Sequence, residues 1–204
     1  MDSQTKVTGV ILAGGRARRM NNRDKGLVLF KGQPMVSYAI EAMKTVADET
    51  IINANRNISG YRALGLTVIS DQTDSFDGPL AGILAAMIFA KHGLLLVMPC
   101  DSPLIKAHHL QKILSVRAEN DADIAVAFDG VRVHPVFLAI KVSLQEHLQD
   151  YLNSGQRKLH TWLEQHKMIK VDFSTEPYIF TNINTLPELK NLEQCIETVR
   201  LKGR

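Results

Sequence analysis

Val7-Thr8-Gly9-Val10-Ile11-Leu12-Ala13-Gly14-Gly15 is a short apolar run halted by two glycines. Its apolar residues are continuous rather than alternating, which is the pattern of a strand covered on both faces. Such strands sit in the middle of parallel sheets, so helices are expected on either side of it. The next segments supply them. Pro34 opens a stretch in which Met35, Val36, Ala39, Ile40, Met43 and Val46 fall at helical spacing. Strands are expected at Thr50 to Ala54 and Leu66 to Ile69, around a short helix near Ile58 to Leu64. Leu80 to Ala90 reads as a helix, Gly93 to Met98 as a second fully buried strand, and Ala107 to Arg117 as a helix.

The remainder is more mixed. A strand at Ile124 to Phe128 is followed by a hairpin-type turn at Asp129-Gly130 and a strand around Pro135 to Ile140. Helices near Leu144 to Leu152 and Leu159 to His166, a strand at Met168 to Phe173 and a last helix capped by Thr185 complete the chain. No repeat, Gly/Ser linker or break in composition divides it, so residues 1–204 read as a single domain. Alternating strands and helices at these spacings predict an α/β fold, a Rossmann-like three-layer α/β/α sandwich on a mostly parallel sheet.

Composition narrows the function. Of 204 residues 45% are hydrophobic, enough for one substantial core. The 24 Lys+Arg against 21 Asp+Glu leave +3, too small an excess for a dedicated nucleic-acid binder. The 2 cysteines, Cys100 and Cys195, form no CxxC and no His/Cys cluster, which argues against a disulfide scaffold or structural zinc and for a reducing cytoplasm. The apolar runs fall far short of the roughly 20 residues of a membrane helix, and the first residues show no export signal.

Ligands of such folds bind beyond the carboxyl ends of the strands. Four features fall there: the Gly14 to Lys25 loop, Asn53 to Asn55, Asp71 and Asp101. Gly14 and Gly15 leave the backbone open to a ligand, with N–H groups free to face phosphate oxygens. Arg16, Arg18, Arg19, Arg23 and Lys25 place five cations in the same loop, a density suited to a polyphosphate whose charge must be neutralised before an anionic nucleophile approaches. A solvated basic surface is the plain alternative. Neither GxGxxG nor Walker A is present, which disfavours a dehydrogenase or P-loop GTPase. Asp101, at the end of the second buried strand, is the candidate ligand for a Mg²⁺ that takes its other ligands from phosphates and water; a turn or helix cap is the alternative. Asp71 and Asn53 fit either ordinary turns or contacts to a base or ribose. His108-His109 is expected at the surface of a helix start, and His134-Pro135 to bend a strand. No nucleophile motif is present, and none is required where a phosphate is the acceptor, because its oxygen is already ionised.

Leu12-Ala13-Gly14-Gly15-Arg16-Ala17-Arg18-Arg19-Met20 with Lys25 downstream, and Pro99-Cys100-Asp101-Ser102-Pro103, resemble the nucleotidyltransferases, and within them the molybdenum cofactor guanylyltransferases. The resemblance extends through Asn53-Ala54-Asn55-Arg56, Asp77-Gly78-Pro79-Leu80-Ala81-Gly82, Ser154-Gly155-Gln156-Arg157 and Thr181-Asn182-Ile183-Asn184-Thr185. It implies the nucleotide-diphospho-sugar transferase type of sheet and transfer of GMP from GTP to molybdenum-bound molybdopterin. It further implies Leu12, Ala13, Gly14, Gly15, Lys25, Asn53, Asp71 and Asp101 at the nucleotide. Arg19 and Lys25 would lie on the phosphates, Asp101 on Mg²⁺, and Gly78, Gly82, Arg157, Asn182 and Asn184 on the acceptor side. Molybdenum insertion proteins and molybdoenzyme chaperones are the implied partners of a monomer. One departure is visible: Asn21-Asn22 stand where the family has glycine, and Asn is the side-chain-bearing residue that best tolerates positive φ. The rival readings are a cytidylyltransferase on the same cofactor, a sugar-1-phosphate nucleotidyltransferase, and a non-catalytic nucleotide-binding protein that delivers cofactor.

Overall fold

The structure, a computed structural model, describes residues 5–14, 24–72, 78–183 and 187–188. The first strand, β1 (Val7–Leu12), is buried at all 6 positions. A 3₁₀ turn at Lys25–Leu27 leads into a two-residue ribbon, β2 (Leu29–Phe30) with β3 (Gln33–Pro34), and then α1 (Met35–Lys44). There follow β4 (Glu49–Asn53), α2 (Ile58–Arg62), β5 (Thr67–Ile69), α3 (Pro79–Phe89), β6 (Leu94–Pro99) and α4 (Ala107–Glu119). The last part contains β7 (Ile124–Phe128), β8 (Val133–Lys141), α5 (Gln145–Asn153), α6 (Leu159–Leu163) and β9 (Met168–Asp172). The helix expected after Thr185 lies outside the described residues except for Pro187 and Glu188.

The main sheet has the order β5-β4-β1-β6-β8-β7-β9. Every pairing is parallel except those of β8, which runs against both β6 and β7. Two apolar clusters cover its faces. Val7 and Ile11 of β1 pack with Val36 and Met43 of α1 and with Leu110 and Ile113 of α4. Val10 and Leu12 face the other way, onto Leu80 and Ile83 of α3, with Trp162 of α6 and Leu148 of α5 in the same cluster. This two-sided burial is why β1 has no polar alternation. α3 is buried from Leu80 to Met87 because it is held between the sheet and α5, and a helix so enclosed is apolar all round. No helix among the described residues is long and apolar enough to cross a membrane.

Two details differ from the sequence expectation. β8 begins at Val133 rather than Pro135, and its register against β7 jumps: Val126 faces Leu138, whereas Ala127 faces His134. Pro135, Val136 and Phe137 are left over between the two registers, so the proline, which has no N–H to donate, sits in a bulge. His109, expected at the surface, is buried, while His108 is exposed.

The chain places β4 and β5 on one side of β1, then crosses by α3 to put β6 on the other. A switch of this kind opens a crevice at the carboxyl ends of β1 and β6.

Candidate active site

Strand register fixes what lies around that crevice. Leu12, the last residue of β1, pairs with Asn53 of β4 and with Pro99 of β6, and Asn53 pairs with Ile69 of β5. Gly14, Asn55, Asp71 and Asp101 therefore emerge on one rim. A pocket of about 480 Å³ opens there, lined by nine of the residues singled out from sequence: Leu12, Ala13, Gly14, Lys25, Asn53, Asp71, Gly78, Gly82 and Asp101. Gly15, Arg19 and Asn184, and the other loop arginines Arg16, Arg18 and Arg23, lie outside the described residues.

On one side of the pocket Asp71 gathers two amides. Its Oδ1 accepts a hydrogen bond from Asn53 Nδ2 at 2.9 Å and its Oδ2 one from Asn55 Nδ2 at 2.7 Å. Its own backbone N–H donates to Asn55 Oδ1 at 2.9 Å. Asn53, 2% exposed, is thus anchored through its Nδ2 to Asp71, which sets the direction of its carbonyl oxygen. That oxygen lies against Gly82 of α3, where a Cβ would come within 2.5 Å of it and 3.0 Å of Leu12 Cδ2. Glycine is required at Gly82 by the Asn53 amide. At Gly78 it is required by the backbone, whose φ of 73° and ψ of −160° start α3 in a conformation open essentially to glycine alone.

The opposite side carries charge. Lys25 Nζ stands 3.4 Å from Asp101 Oδ2. The second oxygen of that carboxylate, Oδ1, is buried without a hydrogen-bond partner among the described residues. Burial pushes the Asp101 pKa above the usual carboxylate value, and the Lys25 ammonium pulls against it without cancelling it. An anionic oxygen left unpaired at a pocket wall suits a divalent cation, and one carboxylate is enough for Mg²⁺, which keeps waters and substrate phosphates as its remaining ligands. The residues present therefore fit such an ion. Beside Asp101, the thiol of Cys100 is pushed well up by burial and then by the Asp101 and Asp24 charges, so it stays protonated and unreactive.

The MobA-like NTP transferase domain family matches residues 9–169 of this sequence. The chain belongs to that family. Among MobA-like relatives, the molybdenum cofactor guanylyltransferase of Shewanella sediminis is 42% identical over 94% of this chain and 97% of its own length. That of Shewanella sp. strain MR-4 is 43% identical over 91% and 93% respectively. Among solved structures, molybdopterin-guanine dinucleotide biosynthesis protein A from Archaeoglobus fulgidus superposes with a TM-score of 0.77 at 22% identity, covering 94% of this chain and 99% of that one. CMP:2-keto-3-deoxy-manno-octonic acid synthetase complexed with CTP superposes with a TM-score of 0.73 at 14% identity, over 95% and 99%. These two likenesses are of fold alone, an α/β architecture on a mostly parallel sheet.

The four described residues expected on the acceptor side, Gly78, Gly82, Arg157 and Asn182, do not all fall together. Gly78 and Gly82 line the pocket itself, and Gly82 touches the Asn53 side of it. Asn182 lies next to the Asp101 end: its Oδ1 accepts from Ser102 Oγ at 2.6 Å, and the following Ile183 N–H donates to the Asp101 carbonyl at 3.1 Å. Phe180, two residues earlier, stacks on His134 at 4.1 Å, and His134 Nε2 lies 2.7 Å from Asp129 Oδ2. Asp129 is held well below the usual carboxylate range by the Arg132 N–H, His134 and the Val131 N–H. Arg157 is not among the pocket-lining residues; its guanidinium donates to the Leu152 and Gln156 carbonyls at 2.7 and 2.8 Å.

The pocket also takes in Asp24, Asn55, Pro79, Pro99, Cys100 and Val136. No local sequence feature marks Val136, because only the β8 bulge turns it there. Asp24 and Asn55, by contrast, lie within the two strand-end stretches expected at the site, the Gly14 to Lys25 loop and Asn53 to Asn55.

A second cluster, His108, His109 and Glu176, brings its ligand atoms within 4.8 Å of one another. It is poorly set for a metal. His109 Nδ1 accepts the Lys106 backbone N–H at 2.9 Å, so the neutral ring carries its proton on Nε2, which faces Glu176 at 3.7 Å. That geometry closes the start of α4 rather than offering a lone pair.

Proposed function

We propose that this chain transfers GMP from GTP to the terminal phosphate of molybdenum-bound molybdopterin, releasing pyrophosphate and forming molybdopterin guanine dinucleotide. The names of its relatives support this reading. The observation that carries it is the division of one pocket into an amide-and-carboxylate wall (Asn53, Asn55, Asp71) and a charged wall (Lys25, Asp101). The first wall offers fixed donors and acceptors to a base and ribose, the second neutralises a triphosphate.

In this reading the acceptor phosphate oxygen bonds to the α-phosphorus as the bond from that phosphorus to the bridging oxygen breaks, and the electron pair leaves with pyrophosphate. No proton has to be removed, so the protein's work is alignment and charge neutralisation. Lys25 meets negative charge on the phosphates. Asp101 would hold Mg²⁺, which supplies a Lewis acid to the phosphate oxygens. Arg19 and Gly15 would complete the phosphate contacts, and Gly78, Arg157, Asn182 and Asn184 the acceptor side.

Pyrophosphate release is measured with GTP, CTP or ATP, each with molybdenum-molybdopterin and with or without Mg²⁺. Release with GTP and Mg²⁺ only is expected. Preference for CTP would reject the guanine assignment, and turnover with a sugar 1-phosphate in place of the pterin would reject the acceptor.

A further inference from the structure

We infer that Tyr61 and Asp24 are a positioning pair for Lys25: one buried phenol fixes the short stretch of backbone from which that ammonium reaches Asp101. The inference rests on the functional reading above and names a residue pair that acts within it.

Asp24 sits at the start of the 3₁₀ turn Lys25–Leu27, where an aspartate ordinarily caps the helix through its side chain. Here it makes no cap bond. The carboxylate, 7% exposed, turns inward instead, where Oδ1 accepts from the Tyr61 hydroxyl and Oδ2 from Asn57 Nδ2 at 3.4 Å. The same phenol touches the residue on the other side of Lys25. A Cβ on Gly26 would fall 2.5 Å from the Tyr61 oxygen and 3.2 Å from Cys100 Sγ. Residues 24 and 26 are therefore both seated on one hydroxyl, with Lys25 between them and Cys100, the neighbour of Asp101, beneath.

Tyr61 is fully buried and does not line the pocket. It has no route to a substrate except through the residues it holds. Burial first, then the neighbouring Cys100 and the bond to Asp24, raise its pKa far out of reach, so it is a permanent donor. A cap diverted from its own helix, and a glycine forced by the same oxygen, both exceed what anchoring α2 demands.

The test is a double-mutant cycle on the whole chain, read as GTP- and Mg²⁺-dependent pyrophosphate release, with thermal melting alongside. Tyr61→Phe keeps the ring and removes the hydroxyl. Its kcat is expected to fall on the order of 10- to 100-fold, the scale of a small misplacement of a reacting group. In a Lys25→Ala background the same change is expected to alter kcat by less than about twofold, because its target is gone. Asp24→Ala should match Tyr61→Phe, while Asp24→Asn, which keeps an acceptor for the phenol, should recover most of the loss. Parental kcat in Tyr61→Phe or Asp24→Ala, or an equal fold-loss with and without Lys25, would overturn the inference. Full turnover of Lys25→Ala alone would instead overturn the functional reading on which it rests.

Discussion

The two oxygens of Asp101 are treated unequally: Oδ2 faces the Lys25 ammonium at 3.4 Å, while Oδ1 is buried and has no hydrogen-bond partner among the described residues. A charge that is only half satisfied opposes folding. Retaining it at the end of the central β6 strand makes sense if the missing partner arrives with the substrate. Lys25 then does double service, limiting the penalty in the empty pocket and moving to phosphate charge in the filled one.

Asp101→Asn separates the two effects. Burial outweighs Lys25 in setting the Asp101 pKa, so it is raised in the folded chain. Above that folded pKa, where the carboxylate is ionised folded and unfolded, the raised value is a net cost of folding. The neutral amide is expected to melt, without metal, at or above the parental temperature while kcat falls about 10²–10³-fold, the scale for losing one transition-state charge contact. Differential scanning calorimetry beside pyrophosphate release checks both; a large loss of stability would mean that the Lys25 ion pair dominates.

The same pKa sets a pH dependence. A carboxylate whose folded pKa is raised contributes stability at low pH, below its unfolded value of 3.8, and loses it as pH rises through the higher folded value. A cation that needs the ionised form works in the opposite sense. The rise in melting temperature on adding Mg²⁺ is therefore expected to grow as pH increases through the Asp101 titration and to be absent in Asp101→Asn. A Mg²⁺ effect that is flat with pH, or retained in the variant, contradicts Asp101 as the ligand.

Legibility followed locality. β1 and β6 announced themselves because burial on both faces removes polar alternation, and residues directly after strand ends, Gly14, Asn53, Asp71 and Asp101, could be placed on a common rim from topology alone. Parts made by distant packing could not. Tyr61 looks like any apolar position of a short helix until Asp24, 37 residues away in sequence, is folded against it. His109 carries no local mark of its burial, which depends on Phe173 and Glu176 arriving from another part of the chain. The assignment of Gly82 to the acceptor came from motif position, whereas its contact with Asn53 is a matter of helix α3 lying over β4.

Asp71→Ala removes the acceptor for two amides at once. Asn53 is buried, so its Nδ2 donor is left without a partner, at a cost of about 1–3 kcal/mol. Urea denaturation should register that loss, and KM for GTP should rise more than kcat falls if, as proposed, this wall holds the nucleoside and does not meet the transferring phosphoryl group. The effects of Asn53→Ala and Asp71→Ala are expected to be strongly non-additive. Additive losses would mean that each residue contacts the nucleotide independently.

Gly82→Ala tests which half of the pocket α3 serves. The added methyl would lie 2.5 Å from Asn53 Oδ1 and 3.0 Å from Leu12 Cδ2. The Leu12 end has a flexible side chain, but Asn53 is tied to Asp71 and has little room to turn. The amide must therefore shift and carry the Asp71 contact with it. Weaker GTP binding by calorimetric titration is the expected result, with affinity for the pterin acceptor close to parental. The opposite pattern, parental GTP affinity with a weakened acceptor, would return Gly82 to the acceptor side and show that the Asn53 network can yield without loss.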